Sequence, residues 1–264
     1  MLIPKLEVAT EPKDYRPISL IHSFAKLLTK VLARRLSVYI DKLISSAQSA
    51  FIRRRCIQDN FLYVRGLARH YHRSKTPACL IKFDITKAFD SVSWEYILQL
   101  LTIRGFPQKW NDWLAILLRS SSLSILLNGC PGQSITHRRG LRQGDPLSPY
   151  LFILAIDALN NIFNLATEQG FLTPLRGRQA SLRISMYADD AVVFTNPKRE
   201  DISCILAIMK AFGDASGLQI NIHKSSIAPI RCQGIDLDEV LQDFPGPRVN
   251  FPTQYLGLPL TLGR

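Results

Sequence analysis

Apolar residues recur every three or four positions through residues 18–43, with basic residues between them. This spacing places the apolar side chains on one face and predicts a basic amphipathic helix. A second helical stretch is predicted from Ile57 to Tyr71, and Pro12 to Pro17 predicts an extended segment before the first helix. The apolar positions of the first helix are Leu27, Leu28, Val31, Leu32, Leu36 and Ile40, and the cations between them are Lys26, Lys30, Arg34 and Arg35.

The pattern then changes to short strand-like runs that alternate with helical ones. Ala78–Phe83 is apolar apart from Lys82 and ends at Asp84, which is typical of a buried strand. The elements predicted after it are a helix Trp94–Ile103, a helix from Pro107 to about Arg119, a strand Ser121–Asn128, and a return strand after the turn Gly129–Gly132.

The second half of the chain continues this alternation. Asp145-Pro146 predicts the N-cap and first residue of a helix that runs to about Ala166. Two strands, Arg183–Tyr187 and Ala191–Thr195, predict a hairpin with Asp189-Asp190 at its tip.

The last predicted elements are an amphipathic helix Asp201–Ser216, which closes at Gly217, and a strand Leu218–Ile222. The order of strand, helix, hairpin, helix and strand predicts an α+β fold of the split βαβ kind.

Charge adds a candidate partner to this picture. The 264 residues carry a net charge of +12, and residues 1–79 hold 15 Lys or Arg against 5 Asp or Glu. Residues 80–264 hold 18 against 16, so the basic surface belongs mostly to the first third. This imbalance favours a polyanionic partner, either nucleic acid or an acidic membrane surface. A solvated basic face without a partner is the alternative.

Cysteine spacing and apolar runs argue against other classes of protein. The five cysteines show no CxxC pair, which argues against a zinc site and favours reduced thiols in an intracellular protein. The N-terminus lacks the apolar region of a signal peptide. The longest apolar run, Tyr150–Ile156, stops at Asp157 and is too short to span a bilayer, so membrane insertion is not expected.

Candidate chemistry begins at Asp84. A carboxylate at the end of a buried strand is unfavourable unless a cation neutralises it. An ordinary helix N-cap is the alternative for this residue alone.

Tyr187-Ala188-Asp189-Asp190 is a second candidate, because adjacent acids repel one another unless they are exposed or bound to a metal. The alternative is a simple turn, but the flanking residues Ile184, Met186, Val192, Val193 and Phe194 are apolar and indicate a hairpin packed into a core.

The segment Arg139–Pro149 is the third candidate. Two glycines, Gly140 and Gly144, allow the backbone to approach a ligand, and Arg142 and Gln143 supply donors beside a predicted helix N-terminus. A glycine-rich connection is the alternative reading. Together, in this order, the three candidates predict a metal site that faces a phosphate and base site. Ligands that are all oxygen suit two Mg²⁺ or Mn²⁺ ions, which can activate a 3′-hydroxyl and stabilise a pyrophosphate leaving group.

These motifs resemble the reverse transcriptase domain of non-LTR (LINE-type) retrotransposons, in the style found in plants. The resemblance runs from Asp14–Leu20 to Tyr255–Leu260 and covers nearly the whole chain. The matching blocks between these ends are Gln48–Ile52, Phe83–Asp90, Gly140–Pro149, Tyr187–Asp190, and Ser216–Asn221 with Lys224-Ser225. The family also implies that RNA template, DNA primer and dNTP are the partners, and that the protein acts in the nucleus.

The resemblance assigns roles to individual residues. Asp84 and Asp189 would hold both metal ions with help from the Ile85 carbonyl, and Asp190 would support them. Phe89 would be the steric gate that favours dNTP over rNTP. The resemblance places Gln143 and Gly144 beside the incoming nucleotide, and Arg53, Arg54 and Arg55 on the triphosphate or template. It places Lys224 near the leaving pyrophosphate as a general acid. The primer grip would consist of Tyr255, Leu256, Gly257 and Leu258.

The resemblance also implies the fingers and palm of a right-hand polymerase. Residues 1–80 would form basic, mostly helical fingers. Residues 81–228 would form a palm with a ferredoxin-like antiparallel sheet, and a fingers-side hairpin at about 121–140. Residues 229–264 would hold the primer grip, and the thumb is expected to be missing. A truncated, non-catalytic nucleic-acid-binding remnant of such an element is the alternative function.

Overall fold

The computed structural model describes residues 2–4, 7, 10–11, 14–18, 21–128, 130–177 and 180–263. The predicted extended segment Pro12 to Pro17 and the predicted turn Gly129–Gly132 therefore lie partly outside the described residues. So does part of the Asp14–Leu20 block. Of the extended segment, Tyr15–Pro17 forms a short strand that pairs antiparallel with Leu2–Pro4.

The helices and strands follow the predicted order closely. The helices are α1 Ser23–Ser37, α2 Ile40–Leu43, α3 Ile57–Arg73, α4 Ala88–Ser91, α5 Trp94–Ile103, α6 Gln108–Arg119, α7 Ser148–Glu168, α8 Arg199–Ser216 and α9 Leu237–Val240. The strands are β1 Leu2–Pro4, β2 Tyr15–Pro17, β3 Ala78–Phe83, β4 Ser122–Leu127, β5 Cys130–Thr136, β6 Ile184–Tyr187, β7 Asp190–Thr195, β8 Ser226–Ile230, β9 Thr253–Tyr255 and β10 Leu258–Leu260.

A four-stranded antiparallel sheet in the order β6-β7-β3-β8 organises the fold. The chain runs from β3 through α7 to the β6–β7 hairpin, and then through α8 to β8. This is the connectivity of a split βαβ unit with a ferredoxin-like strand order. The predicted α+β class and ferredoxin-like sheet are confirmed.

The last strand of this sheet was predicted wrongly. Leu218–Ile222 contributes one isolated bridge, between Ile85 and Ile220, and the partner of β3 is β8 at Ser226–Ile230. Pro229 within that segment argues against a central strand, because proline cannot donate to a ladder. The structure accepts Pro229 because β8 is the edge strand of the sheet.

The two faces of the sheet bury different parts of the chain, as the alternation of side chains in a strand requires. Ile81, Phe83 and Val193 lie on one face, in the large core that includes α7 and α8. The other face carries Leu80, Val192 and Phe194, which pack against α3 and the β9–β10 hairpin, where Tyr255 and Leu260 lie, in a second core. The helix α3 and the β9–β10 hairpin therefore share one side of the sheet.

Helix α1 buries a narrower face than its sequence pattern predicted. Leu32 and Leu36 are buried, whereas Leu27 and Val31 are 61% and 45% exposed. At 3.6 residues per turn, Leu27 lies about 100° around the helix from Leu28, and Val31 lies about 100° from Leu32. The cations Lys26, Lys30, Arg34 and Arg35 are exposed, so the predicted basic face of α1 is confirmed.

Among the residues that the structure describes, α7 is the one helix that is long and apolar enough to cross a membrane. Of its apolar window, 61% is buried inside the protein, as in a core helix. The apolar run ends at Asp157, but the helix continues past it to Glu168, close to the predicted end near Ala166. Asp157 is itself buried and paired.

The start of α7 also differs in detail from the prediction. The helix begins at Ser148 rather than at Pro146. Asp145 nevertheless acts as a cap, because its Oδ1 accepts hydrogen bonds from the amides of Leu147, at 2.7 Å, and Ser148, at 3.3 Å. The proline that occupies the first turn is Pro149.

Asp157 ties α7 to two other parts of the core. Only 2% of this residue is exposed. Its Oδ1 accepts hydrogen bonds from the amide and hydroxyl of Ser45, at 3.0 and 2.5 Å, and its Oδ2 lies 3.4 Å from the Arg104 guanidinium. Arg104 also donates to the Leu43 carbonyl. The carboxylate thus links the segment after α2, the end of α5 and the centre of α7.

We predict that Asp157→Ala lowers the free energy of unfolding by about 3–5 kcal/mol, because Arg104 then keeps a partly buried charge without its partner. Urea denaturation measures the change. The matched control is Asp214→Ala, which breaks the exposed pair with Lys210 in α8 and should cost about 1 kcal/mol or less. Equal losses for the two variants would contradict this role of Asp157.

Candidate active site

The predicted acidic hairpin forms at one end of the sheet. Strands β6 and β7 are paired through Tyr187 and Asp190, so Ala188 and Asp189 form a two-residue turn between them. Ala188 has a φ of 53°, in the left-handed region that residues with a Cβ rarely adopt. Asp189 is exposed at the tip. We call Tyr187–Asp190 the acidic turn.

Strand register brings Asp84 to the acidic turn. Phe83 pairs with Ala191 in the β3–β7 ladder, and continuing this register by one residue places Asp84 opposite Asp190. The backbone of Asp84 is held on its other side, because its amide donates to the Ser225 hydroxyl at 3.2 Å and its carbonyl accepts from the Asn221 amide at 2.7 Å. The three predicted carboxylates therefore gather at one end of the sheet.

The carboxylate of Asp190 shows the electrostatic cost of this arrangement. Burial raises its pKa above the ordinary value of aspartic acid, and the charges of Asp189 and Asp84 raise it further. Lys82, two residues before Asp84, acts in the opposite direction and lowers the pKa of Asp190. The acids thus lie close enough to repel one another, and Lys82 counters that repulsion, so burial is the main reason that the pKa of Asp190 is raised.

These groups suit a divalent cation in their chemistry. Three carboxylates and the Ile85 carbonyl provide only oxygen ligands, which Mg²⁺ and Mn²⁺ prefer. Burial is the largest cause of the raised pKa of Asp190, and the neighbouring charges of Asp189 and Asp84, which also raise it, are charges that such an ion would neutralise. Within the part of the chain that the structure describes, no three acidic, His or Cys side chains converge into a ready-made metal cluster.

The Gly140–Pro149 segment is bound to the segment that follows Asp84. The Gly140 amide donates to the Val92 carbonyl at 2.8 Å, and the Leu141 amide donates to the Phe89 carbonyl at 2.6 Å. The Gln143 side chain donates to Asp90 Oδ1 at 3.2 Å. One hydrogen-bonded unit therefore contains both Phe89 and Gln143, which the resemblance placed at the incoming nucleotide.

The absence of a side chain at Gly140 allows this loop to lie close to the backbone of Asp90. Its φ is 83°, and a Cβ at this position would lie 2.6 Å from the Asp90 carbonyl oxygen. The indole of Trp94 donates to the Gly140 carbonyl at 2.6 Å and fixes the same loop. The sequence around Trp94 carries no signal of this contact. Gly144, also at positive φ, is exposed farther along the loop.

Arg142 was predicted to supply a hydrogen-bond donor to a ligand, but its side chain binds other parts of the protein. Its guanidinium donates to the Ser121 hydroxyl at 3.0 Å and to the Leu117 carbonyl at 3.1 Å. These contacts turn it toward the end of α6. The interpretation of Arg142 as a ligand donor beside the α7 N-terminus was wrong, and its structural role is to anchor the loop to α6.

The Phe89 ring is fixed by two other rings. It stacks on Phe152 of α7 with centroids 4.5 Å apart and an interplanar angle of 19°. Phe51 approaches its edge at 6.5 Å and 88°. Phe89 is half-buried, so one part of a rigid ring faces outward.

The three consecutive arginines of the first third have different surroundings. The Arg55 guanidinium pairs with Asp41 at 2.8 Å and donates to the Gln48 carbonyl at 2.7 Å. It also donates to the carbonyls of Ser45 and Ile44, which commits this side chain to the fold. Arg53 and Arg54 are exposed. Of the three predicted phosphate-binding residues, these two have side chains that face solvent.

Lys224 lies on an exposed turn beside the Asp84 backbone. Its amide donates to the Asn221 carbonyl at 3.1 Å, and it directly precedes Ser225, whose hydroxyl accepts from the Asp84 amide. The turn Ile222–Lys224 therefore lies next to the acids, and the Lys224 side chain is exposed.

The predicted primer grip is a tight hairpin. Tyr255 pairs with Leu258, and both Leu256 and Gly257 have positive φ, at 48° and 77°. Two positive φ values are the requirement of a type I′ turn. Tyr255 is 1% exposed, and its hydroxyl donates to Asn60 Oδ1. Of the four predicted primer-grip residues, Leu256, Gly257 and Leu258 therefore remain accessible to a ligand, whereas Tyr255 does not.

Three residues near the acids had been given no role from sequence. They are Gln48 and Asn60, which bind the acidic hairpin from outside the sheet, and Lys82. Asn60 carried a signal, since it is polar but falls on the apolar face of α3 with Val64, Leu67 and Tyr71. The signal for Gln48 was weaker. It is a polar residue in Gln48–Ile52, a segment that resembles the family, but the resemblance assigned it no role.

Comparison with known proteins agrees with this geometry. Residues 3–260 match the family described as reverse transcriptase (RNA-dependent DNA polymerase). The chain is 30% identical over 233 residues to the Pol polyprotein of the type-2 retrotransposable element R2DM of Drosophila melanogaster, and the match covers 88% of this chain and 21% of that protein. It is 49% identical over 70 residues to an uncharacterized mitochondrial protein of Arabidopsis thaliana, covering 26% of this chain and 57% of that protein.

Solved structures extend the comparison to the fold. Telomerase from Candida tropicalis, in complex with a fragment of telomeric RNA, superposes with a TM-score of 0.59 at 11% identity, covering 88% of this chain and 36% of that one. At this identity the likeness concerns the fold alone. The chain spans about a fifth of the length of the first retrotransposon relatives that it matches.

We predict that Asp190→Asn raises the Tm of the metal-free protein at pH 7. The pKa of Asp190 is raised in the fold, so its contribution to stability is present below the ordinary aspartic acid pKa and is lost as the pH rises through the raised value. The gain should therefore shrink as the pH falls toward about 4. Each kcal/mol corresponds to roughly 2–4 °C in a chain of this size.

Thermal melts in a chelating buffer measure this difference. Asp112→Asn, at an exposed position of α6, is the matched control and should leave the Tm unchanged. An Asp190→Asn protein that melts at or below the wild-type temperature at pH 7 would contradict the repulsion among these acids.

Proposed function

The chain belongs to the reverse transcriptase (RNA-dependent DNA polymerase) family, and on that premise we propose that it carries out RNA-templated DNA synthesis. In this reaction the 3′-hydroxyl oxygen of a primer attacks the α-phosphorus of a dNTP. A new phosphodiester bond forms, the bond to pyrophosphate breaks, and the hydroxyl proton is released. The observation that carries the proposal is the register that sets Asp84 opposite Asp190 at the acidic turn.

The acids would bind the catalytic cations. Asp84 and Asp189, with the Ile85 carbonyl, would hold two Mg²⁺ or Mn²⁺ ions, and Asp190 would support them. Such ions, when bound, lower the pKa of an attacking hydroxyl and stabilise a pyrophosphate leaving group. The pKa of Asp190, raised by burial and by its acidic neighbours, supports a site that needs added positive charge.

The nucleotide would lie against the unit formed by Phe89 and Gln143. The Phe89 ring cannot move aside easily, because Phe152 and Phe51 hold it. A fixed ring would exclude a ribose 2′-hydroxyl and so favour dNTP. Gln143 and Gly144 would contact the incoming nucleotide from the loop that hydrogen bonds to Asp90.

The phosphates and the primer would meet other parts of the surface. Arg53 and Arg54 are exposed and would contact the triphosphate or template, whereas Arg55 is committed to Asp41. Lys224 would lie near the leaving pyrophosphate and donate a proton to it. The turn of the β9–β10 hairpin, Leu256 to Leu258, would hold the primer, while Tyr255 anchors the hairpin in the core.

RNA template and DNA primer are the proposed partners. The net charge of residues 1–79, and the exposed cations of α1 among them, support binding of a nucleic acid backbone. The relatives named above support an origin in a non-LTR retrotransposable element, and the Arabidopsis match supports a plant-type one. Action in the nucleus follows as a proposal from that origin.

The second candidate function is nucleic acid binding without catalysis. The basic first third favours it, because that surface lies largely outside the acidic turn. This function predicts binding that falls with salt and that survives Asp84→Ala and Asp189→Ala.

A primer-extension assay separates the two functions. With poly(rA)/oligo(dT), dTTP and Mg²⁺ or Mn²⁺, the chain should incorporate dTTP. Asp84→Asn and Asp189→Asn should lower the rate roughly 10²–10³-fold or more, because transition-state charge is no longer stabilised. Asp112→Asn, on the α6 surface, is the control and should keep full activity. Salt-sensitive binding with no incorporation under either metal would favour the non-catalytic function instead.

The steric role of Phe89 gives a separate prediction. Phe89→Val should raise the incorporation of UTP relative to dTTP about 10- to 100-fold, because the smaller side chain leaves room for the 2′-hydroxyl. The ratio of kcat/KM for the two nucleotides measures this change. Phe171→Val, at a site that is 65% exposed, is the matched control. An unchanged ratio in folded Phe89→Val protein would rule out the gate.

A further inference from the structure

A buried glutamine lies directly behind the acidic turn. Gln48 is 0% exposed, and it comes from the segment between α2 and α3, about 140 residues away from the turn in sequence. Its backbone runs beside β6, where the Met186 amide donates to the Ala47 carbonyl at 2.7 Å and the Ser49 amide donates to the Met186 carbonyl at 3.1 Å. Residues Ala47–Ser49 thus extend the pairing of β6 on its open edge.

The side chain of Gln48 binds both peptide groups of Ala188. Its Oε1 accepts from the Ala188 amide at 3.1 Å, and its Nε2 donates to the Ala188 carbonyl at 3.3 Å. The amide and the carbonyl of one residue are set by its φ and ψ angles. One carboxamide that binds both groups therefore fixes the conformation of Ala188.

This conformation is one that Ala188 would otherwise avoid. A φ of 53° costs an alanine about 1–2 kcal/mol relative to the right-handed region, and glycine avoids most of that cost. The next residue in the chain is Asp189, and Asp190 follows it. A change in the backbone of Ala188 would redirect both carboxylates relative to Asp84.

Gln48 is itself held rigidly. Its Oε1 also accepts from the Ala50 amide at 2.8 Å, and its carbonyl accepts from Arg55 at 2.7 Å. Asn60 of α3 donates to the Met186 carbonyl at 2.9 Å and accepts from the Tyr255 hydroxyl. The acidic hairpin is therefore fastened to α3 and to the β9–β10 hairpin as well as to Gln48.

We propose that Gln48 is a positioning residue, whose carboxamide holds Ala188 in the left-handed conformation and so sets the Asp189 and Asp190 carboxylates for metal binding. This inference rests on the proposed polymerase function. The Gln48 side chain binds backbone groups of Ala188 and Ala50. Partners of this kind, which orient metal ligands, change metal affinity or activity by about 10- to 100-fold when they are removed.

The test replaces Gln48 with methionine, which has a similar volume but cannot form these hydrogen bonds. Mn²⁺ affinity, measured from the paramagnetic resonance signal of free Mn²⁺, should weaken about tenfold. In primer extension, kcat should fall about 10- to 100-fold while the KM for dTTP stays within about twofold. Gln58→Met, at an exposed position in the first turn of α3, is the matched control and should change neither quantity.

A second substitution separates positioning from simple stabilisation. Ala188→Gly, added to Gln48→Met, should recover several-fold of the lost Mn²⁺ affinity, because glycine adopts a positive φ at little cost. Equal Mn²⁺ affinity in wild-type and Gln48→Met protein would overturn the proposal. So would a loss that follows a lowered unfolding free energy and that Ala188→Gly does not recover.

The outcomes also distinguish this inference from the proposed function. If wild-type protein incorporates no dTTP but binds Mn²⁺ in a manner that depends on Gln48, the polymerase proposal fails and the positioning role is supported. If wild-type protein incorporates dTTP and Gln48→Met retains its kcat and its Mn²⁺ affinity, the positioning role fails alone.

Discussion

The pairing of β3 with β7 is the constraint on which the candidate site depends. Phe83 pairs with Ala191, and this register places Asp84 opposite Asp190 although they are more than 100 residues apart in sequence. A slip of one residue would move every side chain of β3 to the opposite face of the sheet. Such a slip would bring Lys82 and Asp84 into the core that holds Ile81 and Phe83. Burial of that core therefore enforces the position of the acids.

The same register creates an electrostatic conflict that the fold tolerates. Carboxylates that gather at a partly buried sheet end repel one another, and the pKa of Asp190 is raised by burial and by that repulsion. Lys82 lies near enough to reduce the conflict. Strained or repulsive groups persist where the surrounding structure determines them strongly. Here the surrounding structure includes two ladders on β3 and two hydrogen bonds of the Asp84 backbone, whose amide donates to the Ser225 hydroxyl and whose carbonyl accepts from the Asn221 amide.

The acidic turn is supported from outside the sheet as well as from within it. Gln48 and Asn60 come from the first third of the chain and bind the backbone of β6 and of the turn. Tyr255, near the C-terminal end of the described chain, completes the set through Asn60. Distant segments thus meet around one two-residue turn. This explains why a buried polar residue with no metal or substrate contact can matter for the proposed reaction.

Features that depend only on neighbouring residues could be predicted from the sequence. Apolar periodicity located β3, α5, α6 and α8 to within about two residues, and the order of elements predicted the ferredoxin-like sheet. The acids at Asp84 and Asp189-Asp190 were visible because each follows or interrupts an apolar run. Local rules suffice for these features, since strand and helix periods and turn residues act over a few positions.

The sequence does not show which polar side chains face solvent and which are hydrogen-bonded within the protein. That distinction requires the tertiary structure. Arg53, Arg54 and Arg55 are equivalent in sequence, but Arg55 is bound to Asp41 and to nearby carbonyls. Arg142 is bound at the end of α6, and β8 rather than Leu218–Ile222 completes the sheet. Gln48 and Asn60 gained their importance from contacts across more than 120 residues. Such hydrogen bonds depend on the final positions of distant segments, and no local pattern of residues encodes them.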